Sequence, residues 1–268
     1  MKTRRELKLR AKERMQAQRP TAILLVLLVC IKILALFIID AIALRGLGRI
    51  PFVLLYWIGI LALLIIAVSL MREFIAIYRG ESAKVGTFYA GLEHNWTRWL
   101  GGMLWMVLWV AIWVLIAIPL TVLAVFLVKH LGRSALAWIV PLMAITHIAA
   151  LIPALIKGLS YSMTPFILAD QPHVPARAAL KHSMQMMHGR KKEYFVLALS
   201  FIGWMVLSVL TFGILYVVYV GPYLYTTYAG FYDEVRGAAP EAQAETDGEI
   251  EAEIKIEIIE EENTDDAE

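Results

Sequence analysis

Residues 51–71 read PFVLLYWIGILALLIIAVSLM, a run with no Asp, Glu, Lys or Arg in it. At about 1.5 Å per residue such a run makes a helix of roughly 30 Å, which matches the hydrocarbon core of a bilayer. Lipid requires each backbone N–H and C=O to be paired within its own segment, and a helix does that. Working outward, the same reading finds five more spans: Thr21–Ile39, Trp99–Val128, Ala135–Ile156, Tyr194–Leu210 and Gly213–Tyr232. The Trp99–Val128 run is long enough to tilt, or to kink where Pro119 removes a backbone donor. The expected fold is therefore all-α, a polytopic transmembrane bundle of about six spans with interfacial amphipathic helices on its cytoplasmic side.

Composition agrees. The 268 residues are 60% hydrophobic and 18% charged, against about half and a quarter in soluble domains. The net charge of +2 hides two opposite parts. Residues 1–236 carry 24 Lys and Arg against 10 Asp and Glu, and residues 237–268 carry one Lys against 13 acids. This divides the chain into a basic N-terminal amphipathic helix (1–20), a transmembrane domain (21–236) and an acidic tail (237–268) that is expected to be disordered. In the tail, Ile250, Ala252, Ile254, Ile256 and Ile258 alternate with charged residues. That is a strand's period, so a protein partner with a free sheet edge is the other reading of the tail.

The Lys and Arg residues also set the orientation. With the N-terminus inside, 20 of the 25 fall on the cytoplasmic side, Arg45, Arg49, Lys129 and Arg133 fall outside, and Lys32 lies within a span. Both termini are then cytoplasmic. The first apolar run is too long for a typical signal-peptide core and reads as an uncleaved anchor. Thr3 and Glu6 have capping-box spacing, and Leu7, Ala11 and Met15 form one stripe. Val85–Trp99 and Ala176–His188 read as interfacial helices. In the second, Ala176, Leu180, Met184 and Met187 form the apolar face, and Arg177, Lys181, Arg190, Lys191 and Lys192 are candidates for contact with anionic lipid headgroups.

No motif for chemistry is present. The sequence has no phosphate loop, nucleophile elbow or paired-His zinc helix, and its six histidines are scattered. Cys30 alone excludes a disulfide framework. No enzyme activity, metal, cofactor or nucleic-acid partner is expected. The intramembrane polar residues are the remaining candidates, because an ionisable group in lipid needs a partner or water. These are Lys32 and His147, and beside the Gly221-Pro222 break Tyr219 and Tyr223, whose phenols need hydrogen-bond partners. Ala150, Ala154 and Gly158 form a small-residue packing seam.

The block Lys157-Gly-Leu-Ser-Tyr161-Ser-Met-Thr-Pro-Phe-Ile-Leu-Ala-Asp170 carries a resemblance. With Ser183-Met184, Gly189 to Phe195, Pro222-Tyr223 and Phe231-Tyr232-Asp233-Glu234, it resembles an uncharacterised bacterial integral membrane family, domain of unknown function 975. The resemblance implies a bacterial membrane location and no established activity. It adds Lys157, Tyr161 and Asp170 to the candidates. A carboxylate at a helix C-terminus is disfavoured by the helix dipole, so Asp170 is expected to bond the Gln171–Pro175 turn or to pair with Arg177 or Lys181. The functional expectation is a non-enzymatic membrane scaffold or accessory protein. The alternative is a transporter or lipid-handling protein with a polar cavity near Lys32 and the tyrosine-rich last helix.

Overall fold

The helices start and stop where the sequence supplies caps and breaks. In the computed structural model, which describes residues 3–46, 49–86, 88, 96–115, 117–131 and 136–237, α1 spans Arg4–Ala17. Its capping box is formed: the Glu6 amide donates to Thr3 Oγ1 at 3.3 Å, and the Thr3 amide donates to Glu6 Oε2 at 2.8 Å. Gln18 separates α1 from α2 (Arg19–Gly46). The Gln18 side chain also holds the loop after α3, donating to the Glu81 carbonyl at 2.6 Å and accepting from the Ala83 amide at 2.9 Å.

α3 spans Arg49–Arg79, α4 Trp96–Leu115 and α5 Ala117–Leu131. α6 (Leu136–Ser160) carries Pro141 and Pro153 inside it. Short helices follow: α7 (Thr164–Asp170), α8 (Ala176–Met186), α9 (Lys191–Leu199) and α10 (Ile202–Leu210). A π-helical turn, Tyr216–Val220, leads into α11 (Gly221–Gly237). Pro222 has no N–H to return to Val218, and the turn ahead of it is the widened one.

Among the described residues every regular element is helical. Within the described residues, four stretches are long and apolar enough to cross a membrane: Arg19–Gly46, Ile50–Arg79, Ala137–Asp170 and Lys191–Leu210. This is the architecture of an integral membrane protein.

Side-chain packing concentrates at one end of the bundle. There α1 lies against α11 and α3, burying Leu7, Ala11 and Met15 with Phe74, Ile77, Tyr78 and Tyr232. Gly230 allows this approach, since a Cβ there would meet the Tyr78 ring at 2.4 Å. α7 packs on α3 and α4, with Phe166, Ile167 and Leu168 all buried.

Two expected surfaces differ in detail. α8 buries Ala179, Leu180, His182, Ser183 and Met186 against α4 and α7, while Met184 is exposed. Of the expected Ala176–Leu180–Met184–Met187 stripe, Leu180 and Met187 are buried and Ala176 is half-buried, and Met184 turns outward. The seam on α6 buries Ala154, but at Gly158 a Cβ would meet open space. Most of the Val85–Trp99 helix and the acidic tail beyond Gly237 lie outside the described residues.

Candidate functional site: a charged clamp and its cleft

Three helix ends converge where α3, α7 and α11 finish, and each ends in charge. Arg79 lies between two carboxylates. Its Nη1 and Nη2 donate to Asp170 Oδ1 and Oδ2 at 2.6 and 2.9 Å. Its Nε donates to both oxygens of Asp233 at 3.2 Å, and Nη2 also reaches Asp233 Oδ1 at 2.7 Å. Arg236 Nη1 donates to Asp170 Oδ2 at 2.5 Å, and the Tyr232 hydroxyl donates to the same oxygen at 3.0 Å. The planar guanidinium suits this role, because its fork matches a carboxylate edge on each side. The four charges sum to zero within one connected network.

Beside the clamp lies a cleft of about 440 Å³, whose walls include Arg72, Glu73, Glu81, Arg98 and Trp99 together with Arg79 and Asp170. Arg98 closes one wall by donating to three backbone carbonyls, those of Leu168 (2.5 Å), Val174 (2.8 Å) and Gln171 (3.1 Å). The Leu168 carbonyl is one of the acceptors that the last turn of α7 leaves without an intrahelical donor, so Arg98 acts as a side-chain cap there. Trp99 Nε1 shares the Leu168 carbonyl at 3.0 Å.

Asp170 is compensated, though by residues far from it in the chain. Arg79 is 91 positions away, Arg236 66 and Tyr232 62, whereas the sequence reading expected the adjoining turn or Arg177 or Lys181. Arg177 instead stands over the Trp105 ring at 5.1 Å and ties α8 to α4. Arg190 pairs with Glu193 at 3.7 Å, and Lys181 and Lys192 are exposed.

The other candidates are dispersed. Lys32 Nζ lies 5.5 Å from the centroid of the buried Phe88 ring. His147 Nδ1 donates to the Met143 carbonyl at 2.7 Å, which leaves Nε2 to accept from Thr121 Oγ1 at 3.1 Å. That bond joins α6 to α5. Tyr219 and Tyr223 are ring-packed against Trp204 and Phe201. Tyr161 is buried, and Lys157 is half-buried near the end of α6.

Asp170 is the one candidate that the clamp absorbs. The residues missed are Arg79, Arg98, Tyr232, Asp233 and Arg236. Tyr232 and Asp233 stood in the same family-like pieces as Asp170, and that shared membership was the available signal. Ser183, from another piece, bonds the Ser160 carbonyl at 2.8 Å and accepts from the Met163 amide at 3.2 Å. It thereby fixes the turn that aims α7 at the clamp.

Among the described residues no group of three or more His, Cys, Asp or Glu side chains could hold a metal ion. No curated protein and no solved structure matches the chain. Residues 1–239, which hold every element described above, match the family described as proteins of unknown function, DUF975, and the chain belongs to that family.

Proposed function

We propose that this protein is a non-enzymatic scaffold or accessory protein of the bacterial plasma membrane, multi-pass, with both termini in the cytoplasm. The observation that carries this reading is the saturation of the clamp. Arg79 donates from all three of its nitrogens, and both oxygens of Asp170 accept. Their charges are spent on one another across three helix ends, which is what a structural tie requires. The lysine and arginine bias supports placing the clamp and α1 on the cytoplasmic side. The exposed cations Arg177, Lys181 and Lys192 are then set to meet anionic headgroups. The acidic tail is the part suited to a protein partner.

The cleft gives the second reading, lipid handling, its one specific support. It sits at the charged end of the bundle, where a headgroup rather than an acyl chain would reach Arg72 and Arg98. That is a different place from Lys32 and the tyrosines of the last helix, where the sequence reading put a polar cavity.

Replacing Asp170 by Asn separates structure from chemistry. A structural clamp predicts that Asp170→Asn lowers the unfolding midpoint of the full-length protein in lipid nanodiscs. Functional carboxylates commonly cost stability, so an unchanged or raised midpoint contradicts the scaffold reading.

A further inference from the structure

We infer that the last helical hairpin, α9–α10 and its return through α11, enters the bilayer from the side of α1 and turns back at Phe212 near the midplane, so that its tip meets lipid acyl chains rather than water. The bundle then has four crossings (α2, α3, α4 with α5, and α6) in place of six. Both counts leave the two termini on one side. The inference rests on the membrane reading and is independent of the scaffold reading.

The hairpin's register is fixed by ring contacts. Tyr194 meets Phe231 at 5.2 Å, Phe201 meets Tyr223 at 5.3 Å and Trp204 meets Tyr219 at 5.5 Å. These antiparallel pairs are symmetric about residue 212, which marks the tip. Its base is fixed by α1, where Lys8 Nζ donates to Ser200 Oγ at 2.5 Å and stands 4.4 Å from the Phe201 ring centroid. α1 carries Arg4, Arg5, Lys12 and Glu13 exposed, so that level is aqueous or headgroup. From Phe201 to Phe212 an α-helical rise of about 1.5 Å per residue gives roughly 16 Å, half of a hydrocarbon core of roughly 30 Å.

A second measure agrees. Phe212, Gly213 and Ile214 line the same apolar crevice as Ile23, Leu27 and Cys30 of α2. Cys30 lies about 16 Å along α2 from Arg19, and α2 continues roughly 24 Å beyond it to Gly46. The tip therefore stops beside the middle of a helix that goes on across.

The tip's chemistry suits lipid. Phe212 is 96% exposed, and Val209, Leu210 and Ile214 are exposed with it. Between Glu193 and Asp233 there is no charged residue, whereas the other two expected outer turns carry Arg45 and Arg49, and Lys129 and Arg133. Backbone donors at the turn are closed internally: Phe212 to the Val209 carbonyl (3.0 Å), Gly213 to Ser208 (2.8 Å), Ile214 to Thr211 (3.1 Å) and Leu215 to Thr211 Oγ1 (3.3 Å). Ser208 and Thr211 bond back to carbonyls of their own helix. A turn exposed to lipid needs that closure, while a turn in water does not. The positive φ of Gly213, +81°, permits the reversal.

Spin labels on the full-length protein test the depth. In a Cys30→Ala background, nitroxides at Val206→Cys and Phe212→Cys are compared in bilayers for collision with oxygen and with a water-soluble nickel chelate. The expected result is a stronger preference for oxygen at 212 than at 206, with nickel collisions lost at 212 and present at an Arg45→Cys control. Val209→Cys gives an intermediate value and serves if the Phe212 variant does not fold. A preference that peaks at 206 and falls at 212, with nickel reaching the tip, would establish a full crossing and overturn the inference. Low collision with both reagents at 212 would place the tip against protein and overturn it equally.

Discussion

The two ends of this bundle are built on different terms. At the clamped end, Phe74, Ile77, Ile167, Leu168 and Tyr232 are buried, and the ion pairs bridge three helix termini. Along α5 and α6, by contrast, Val122, Val125, Phe126, Ile145, Ile148 and Leu151 stand more than half exposed. In water the second surface would be a large aggregation-prone patch. In lipid no hydrophobic force drives those side chains together, because acyl chains are as apolar as leucine. For large apolar side chains, burial therefore marks the end that meets water, and exposure marks the faces that meet lipid.

That contrast breaks most directly under truncation. Leu168→Ala removes a fully buried side chain at the clamped end and should cost about 2–5 kcal/mol. Val125→Ala, on the apolar face, should change the unfolding free energy by less than about 0.5 kcal/mol, as at other sites without packing partners. Chemical unfolding of both variants in the same bilayer mimic is the check, and equal losses would erase the distinction between the ends.

A smaller effect sharpens the headgroup side of the comparison. Each of Arg177, Lys181 and Lys192 should contribute roughly 1 kcal/mol to contact with anionic lipid, an attraction that salt weakens. Replacing all three by Gln should lower retention of anionic over neutral lipid by the purified protein. Retention that ignores both the substitutions and the salt would leave these cations as topology signals only.

Much of the fold was legible because membrane helices are written in composition. The run at 51–71 lies within α3, and the Thr3–Glu6 box caps α1. What covers the face of α8 was not legible, since a stripe of Ala, Leu and Met looks alike against lipid or protein, and here α4 and α7 cover Leu180. The clamp was hidden for a different reason. Arg79, Asp170 and Asp233 are separated by 91 and 154 positions, and no local pattern pairs them. Arg79 registered only as one more charge on the cytoplasmic side. The hairpin's depth was equally out of reach, because twenty apolar residues read as a crossing until α1 is seen beside residues 200 and 201.

The charges at the convergence of α3, α7 and α11 hold helix ends together. Side-chain exposures of 27% for Arg79 and 10% for Asp170 place the pair between surface and interior. Breaking a buried pair costs about 3–5 kcal/mol, and an exposed pair contributes under about 1 kcal/mol. A double-mutant cycle on Arg79→Met and Asp170→Asn, read as unfolding free energy in nanodiscs, measures the coupling directly. A structural clamp gives strongly non-additive losses, with a coupling of about 1–3 kcal/mol. Additive losses, or single variants as stable as the parent, would contradict it.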